Sequence, residues 1–100
     1  MTRLTQRHHY FVSYDISDDH RRNQVFQVCK DFGNHVQYSV FLCELDRREL
    51  VLLREQLREL IHHGEDQVLL VDVGPAVADV LSSMDVLGQP YAPPGRHFVV

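Results

Sequence analysis

The chain has no apolar run approaching the roughly 18 residues needed to span a bilayer. Residues 1–9 carry arginine and histidine where a secretory leader would place an apolar stretch, so a cytoplasmic protein is expected. Cysteine is scarce: Cys29 and Cys43 fit neither a CxxC redox pair nor a zinc knuckle, and both read as small buried apolar residues. No GxGxxG or GxxxxGK[ST] loop exists to cradle a nucleotide, and no GxSxG elbow to present a serine. The seven histidines form neither HExxH nor HxxxH and read as scattered surface groups. P-loop, hydrolase-triad and zinc mechanisms therefore have no motif to stand on.

Lysine is almost missing too. Nine of the ten cations are arginine, in a chain of formal net charge -4. That balance disfavours coating nucleic acid with the whole surface, whereas arginine favours local, bidentate phosphate contacts. The arginines are grouped: Arg3 and Arg7 beside His8 and His9, Arg21 with Arg22, Arg47 with Arg48, and Arg54 with Arg58. Solvated faces would give the same grouping.

The order Tyr-Phe-Val-Ser-Tyr-Asp over residues 10–15 is aromatic and β-branched, which predicts a strand ending on a carboxylate. Asp18 and Asp19 read as helix caps ahead of Val25, Val28, Cys29 and Phe32, which recur at helical spacing. Gly33 falls where a left-handed C-terminal residue belongs. Val36, Tyr38, Val40 and Leu42 then alternate with Gln37, Ser39, Phe41 and Cys43, predicting one extended stretch that presents Gln37, Ser39 and Phe41 on a shared face. Asp46-x-x-Glu49 predicts a capping box, and Leu50, Leu53, Leu57, Leu60 and Ile61 form one apolar stripe up to Gly64. Residues 67–73 read as a strand, and Pro75 as the opening of a helical turn over 76–84. Prolines and glycines keep residues 88–95 out of regular structure, and 97–100 are again strand-like. This pattern predicts one domain over residues 1–100, with a basic arm at 1–9 and a proline-rich arm and terminal strand at 88–100. Its class is α+β with one helical layer, and a βαββαβ ferredoxin-like sandwich suits the length, although periodicity gives only one strand between the helices.

Asp15 is the candidate for chemistry, because a carboxylate on rigid strand backbone can offer oxygen to a hard cation. A solvated strand end is the plainer reading of the same residue.

Tyr14-Asp15-Ile16, Arg21, Gly33 and Gln37-Tyr38-Ser39-Val40-Phe41 together resemble, in order and spacing over residues 10–45, the signature of the small CRISPR adaptation nuclease family. The resemblance implies a ferredoxin-like protomer in which residues 35–45 hold two strands with a kink, and a symmetric homodimer. It further implies that Asp15 faces its twofold mate and shares Mg2+ or another divalent cation, serving as both metal ligand and catalytic residue. Arg21 or Arg22 would lie near that cleft as nucleic-acid-binding residues. His35 departs from the arginine or lysine common before the glutamine, which weakens a phosphate contact there near neutral pH. After about residue 46 only the pattern of elements matches, and no roles carry over.

The function implied is a CRISPR adaptation, or spacer-acquisition, subunit of antiviral defence with magnesium-dependent endonuclease character on RNA or DNA. The alternative is a non-catalytic dimeric scaffold bridging the larger adaptation integrase and DNA. A small-molecule-binding regulatory domain of similar fold finds no ligand motif here.

Overall fold

A computed structural model describes residues 6–91. Strand β1 (His8–Asp15) leads into helix α1 (Asp19–Phe32), the hairpin of β2 (Asn34–Gln37) and β3 (Val40–Leu45), helix α2 (Arg47–Leu60) and strand β4 (Gln67–Pro75). All pairings are antiparallel and the sheet order is β2-β3-β1-β4, the ferredoxin-like arrangement.

Period-two alternation in β1 sends Val12 and Tyr14 into the core and leaves Phe11, Ser13 and Asp15 on the other face. Both helices cover the first face. Val25 and Cys29 from α1, Leu53 and Leu57 from α2, and Phe41, Cys43 and Leu45 from β3 complete that core. Burying each of these larger apolar side chains contributes about 1.5–3 kcal/mol. The two cysteines are buried and unpaired, and burial pushes their thiols up to about 12 for Cys29 and about 11 for Cys43.

Among the described residues the other face has no α-helix on it, and the segment 76–81 lines a groove there with His9, Leu42 and Glu44. Phe11 is paired with Leu42 on one side and Val71 on the other, and Ser13 with Val40 and Leu69, so apolar rows cross the sheet. Residues 84–91 share a groove with Phe11, Val36 and Val40 near β2, whereas Leu69, Val71 and Val73 stand open at 51%, 51% and 38% exposure.

Both expected helices form as read. Asp18 caps α1 by accepting the Arg21 backbone N–H, and the α2 capping box is complete, with Asp46 and Glu49 each accepting the other's backbone N–H at 2.8 and 2.9 Å. Four expectations need correction. The stretch after Gly33 is a hairpin turning at Tyr38 and Ser39, so Phe41 points into the core and Gln37 and Ser39 do not share its strand face. Pro75 ends β4 by pairing with His8, and only Leu81–Ser83 forms a helical turn, of the 3-10 kind. His8 and His9 belong to β1 and not to an arm. Gly33 is extended, with φ -166°, so no left-handed conformation demands it. Space does: a Cβ there would strike the Cys43 sulfur and lie 2.6 Å from the Leu42 carbonyl oxygen. The expected strand at 97–100 lies outside the described residues.

Gly33→Ala should therefore destabilise the fold by about 1–3 kcal/mol, the usual cost of overpacking, because part of the obstruction is backbone. Urea unfolding would show a lowered midpoint with unchanged slope; a variant as stable as the parent would contradict this packing account.

Candidate functional site

Asp15 is the last residue of β1 and exposed on the face opposite the two α-helices, with Gln67 of β4 as its register partner. Its carboxylate makes no hydrogen bond or ion pair with any described residue. It lines a groove of about 340 Å³ together with Arg22, Asn23, Tyr38 and Ser39.

The hairpin reaches Asp15 through backbone: the Tyr14 N–H donates to the Ser39 carbonyl at 3.1 Å. Tyr38 occupies the left-handed region at φ 28° and is 94% exposed, standing at the turn. His35 closes that turn, its Nε2 lying 2.5 Å from the Tyr38 carbonyl and its ring packing on Phe26 and Phe41 at centroid distances of 5.1 and 4.9 Å. The segment from Gln37 to Phe41 thus lies beside the Tyr14-Asp15-Ile16 segment because one hairpin folds against the end of β1.

The two arginines expected near the cleft are both engaged within the chain. Arg21 donates from Nε and Nη2 to the Asp66 carboxylate at 2.8 and 3.2 Å and from Nη2 to Glu65 at 3.1 Å, tying α1 to the loop before β4. Asp66 has no exposed side-chain surface and also accepts the His62 backbone N–H at 2.8 Å. The Arg21 hydrogen bonds hold the Asp66 carboxyl below its ordinary range, and those same bonds raise the guanidinium. Arg22 does reach the Asp15 groove, but its Nη1 donates to the Ile16 and Ser17 carbonyls at 3.1 and 3.2 Å and its Nη2 pairs with Asp19. It braces the loop immediately after Asp15. Nothing local in the sequence pointed to Asp66, because its partner is 45 residues away. At the other end of the sheet Arg7 is held by Glu44 and Glu49, and the His8 ring nitrogen approaches Asp72 at 2.8 Å.

Among the described residues no three His, Cys, Asp or Glu side chains gather as a metal site. The groove thus offers a single carboxylate, Asp15, with the hydroxyl-bearing Tyr38 and Ser39 also in its lining, and oxygen is the donor those three residues supply. That suits magnesium, which keeps several waters and takes one or two carboxylates plus substrate phosphates.

The model for CRISPR associated protein Cas2 matches residues 8–78, from the start of β1 to just past β4. The chain belongs to the Cas2 family. It is 37% identical over 93 residues to the CRISPR-associated endoribonuclease Cas2 of Geobacter sulfurreducens, covering 93% of this chain and 97% of that protein. It is 40% identical over 89 residues to CRISPR-associated endoribonuclease Cas2 1 of Rhodospirillum rubrum, covering 89% and 86%. A hypothetical protein from Thermus thermophilus superposes with a TM-score of 0.73 at 37% identity, over 87% of this chain and 98% of its own. Streptococcus pyogenes Cas2 superposes with a TM-score of 0.71 at 26% identity, over 80% and 99%. Asp15, both engaged arginines and the hairpin all lie inside the family match. No helix among the described residues is long and apolar enough to cross a membrane.

Asp66 and Asp72 titrate below the ordinary value of 3.8, so the folded chain binds fewer protons than the unfolded one as pH falls toward and past that value. Their stabilisation is complete above the ordinary carboxylate range and is lost as pH drops through their lowered values. Asp66→Asn should lower the melting temperature at pH 7 and flatten the loss of stability below about pH 4. An unchanged melting temperature together with the parent's acid profile would contradict the Arg21–Asp66 clamp.

Proposed function

We propose that this Cas2-family chain is a CRISPR adaptation subunit with divalent-metal-dependent phosphodiester endonuclease activity, working as a homodimer in which two Asp15 carboxylates meet across a twofold axis. The observation that carries the proposal is the placement of Asp15: exposed, at a strand end, without an ion pair to any described residue, and on the sheet face opposite the two α-helices. The exposed Leu69, Val71 and Val73 supply apolar surface for two such faces to bury against each other. The printed names of the Geobacter and Rhodospirillum relatives support nuclease chemistry.

Asp15 and its mate would hold Mg2+ between them, and the bound ion supplies Lewis-acid polarisation of a phosphoryl oxygen and a more acidic water. The chain's own contribution is positional. Strand pairing with Gln67 and the hairpin bond at Tyr14 fix the Asp15 backbone, while Arg22 anchors the next two carbonyls so that the loop does not fold over the carboxylate. The groove walls offer the Tyr38 and Ser39 hydroxyls to a phosphodiester laid along them. For Arg22 to touch phosphate it would exchange Asp19 for the substrate.

A second reading is a non-catalytic dimer that bridges the larger adaptation integrase and DNA. The observation in its favour is the thin ligand set: among the described residues no cluster of three His, Cys, Asp or Glu side chains forms, and the Asp15 groove holds one carboxylate.

Asp15→Asn should reduce magnesium-dependent cleavage of labelled RNA or DNA to background and leave the dimer intact or tightened, since it removes the repulsion of two close carboxylates. Asp79→Asn, in a segment remote from Asp15, should cut like the parent. Cleavage by Asp15→Asn at the parental rate would exclude the metal-nuclease reading and leave the scaffold alone.

A further inference from the structure

The seven described arginines divide into two sets. Arg7, Arg21 and Arg22 are tied to carboxylates and carbonyls of the chain itself. Arg47, Arg48, Arg54 and Arg58, all on α2, make no ion pair with a described residue and are exposed. At 100° per residue Arg47, Arg54 and Arg58 fall on one stripe about 16 Å long, whereas Arg48 falls on another that also carries Glu55 and Glu59.

That stripe borders β4, the outer strand of the sheet. Two grooves of about 320 and 310 Å³ run between α2 and β4 and share Arg54, so they form one trough. Its first half holds His8, Tyr10, Arg47 and Leu50, and its second half holds Arg58, Ile61, His63 and Val68. Asp72 is the sole carboxylate in the lining, and His8 occupies it at 2.8 Å. The His8 and Tyr10 rings stack at 6.2 Å, giving flat faces at one end. The other end is defined by register: Val68 pairs with Tyr14 and Gln67 with Asp15, so the trough, on the helix-covered face, runs out at the end of the sheet where Asp15 stands on the opposite face.

From this geometry we infer that the trough binds single-stranded nucleic acid, with Arg47, Arg54 and Arg58 contacting successive backbone phosphates and the strand directed toward the Asp15 end of β1. Arginine's planar fork matches phosphate oxygens, and the apolar and aromatic floor accepts unpaired bases, which a duplex keeps inside. The phosphate contact is thereby moved from Arg21 and Arg22, which the fold uses, to α2, which the fold leaves free. The inference deepens the nuclease reading and rests on it for the direction of the strand.

The test is fluorescence anisotropy with 20-nucleotide single-stranded RNA and DNA and the corresponding duplex, in chelator so that no cleavage occurs, over a range of salt. The proteins are the parent, the triple variant Arg47→Gln/Arg54→Gln/Arg58→Gln, and Arg48→Gln as control. Each lost single-strand phosphate contact removes about 0.7 from the slope of log affinity against log salt. The triple variant should lose about 2 from that slope and bind about a hundredfold more weakly at 0.1 M salt, with Arg48→Gln close to the parent. A triple variant with parental affinity and slope overturns the inference, as does a parent that prefers duplex. If a 20-residue polyglutamate binds the parent as tightly as the oligonucleotide, and only that binding is lost in the variant, the trough serves an acidic protein and the inference is wrong. Parental binding without cleavage in magnesium would remove the nuclease reading and leave the trough assignment standing; no nucleic-acid binding by the parent would remove both.

Discussion

The packing of both α-helices on a single face of the sheet is the constraint on which the rest depends. Both helices pack on the face carrying Val12, Tyr14, Phe41 and Cys43. Because strand side chains alternate with period two, every second residue of β1 is then committed to the opposite face. Asp15 is exposed because Tyr14 is buried. A one-residue slip of β1 would send the carboxylate into the apolar core at a desolvation cost no partner there could offset. The core thus sets the position of the candidate catalytic group through ordinary register.

The same frame governs the cations. Carboxylates at both ends of the sheet take up arginines: Glu44 and Glu49 hold Arg7, Asp66 and Glu65 hold Arg21, and Asp19 holds Arg22. Partly buried pairs such as Arg21–Asp66 are screened less by salt than exposed ones, and they clamp loops to helices. Among the described residues, four of the five arginines and lysines without an ion pair lie on α2, the fifth being Lys30 of α1. For a chain with net negative charge, this division lets a local basic face exist without a basic protein.

Much of this was legible in the sequence. Helix α2 was read from its stripe and capping box because both signals are local, within four residues. The burial of Cys29 and Cys43 was legible from a spacing that fits no redox or zinc motif, and the exposed end of the first strand from its closing carboxylate; the alternation read after Gly33 instead grouped Cys43 with Gln37 and Ser39, and the hairpin reverses that. The hairpin did not follow from periodicity, because Tyr38 and Ser39 continue the apolar-polar alternation while the chain reverses; only the family resemblance of Gln37 to Phe41 implied two strands. Gly33 was legible as special, but its reason is a close approach to Cys43 and Leu42, set by tertiary packing. The commitment of Arg21 to Asp66 was beyond any pattern, since ion pairs across 45 residues leave no periodic trace.

The claim at the centre is that one cation is shared by two copies of Asp15. Magnesium titration followed by calorimetry, at a protein concentration where sedimentation shows the dimer, measures that stoichiometry directly without reference to cleavage. The account predicts one ion per two chains in the parent and none in Asp15→Asn. One ion per chain, or the same binding in Asp15→Asn as in the parent, would contradict it.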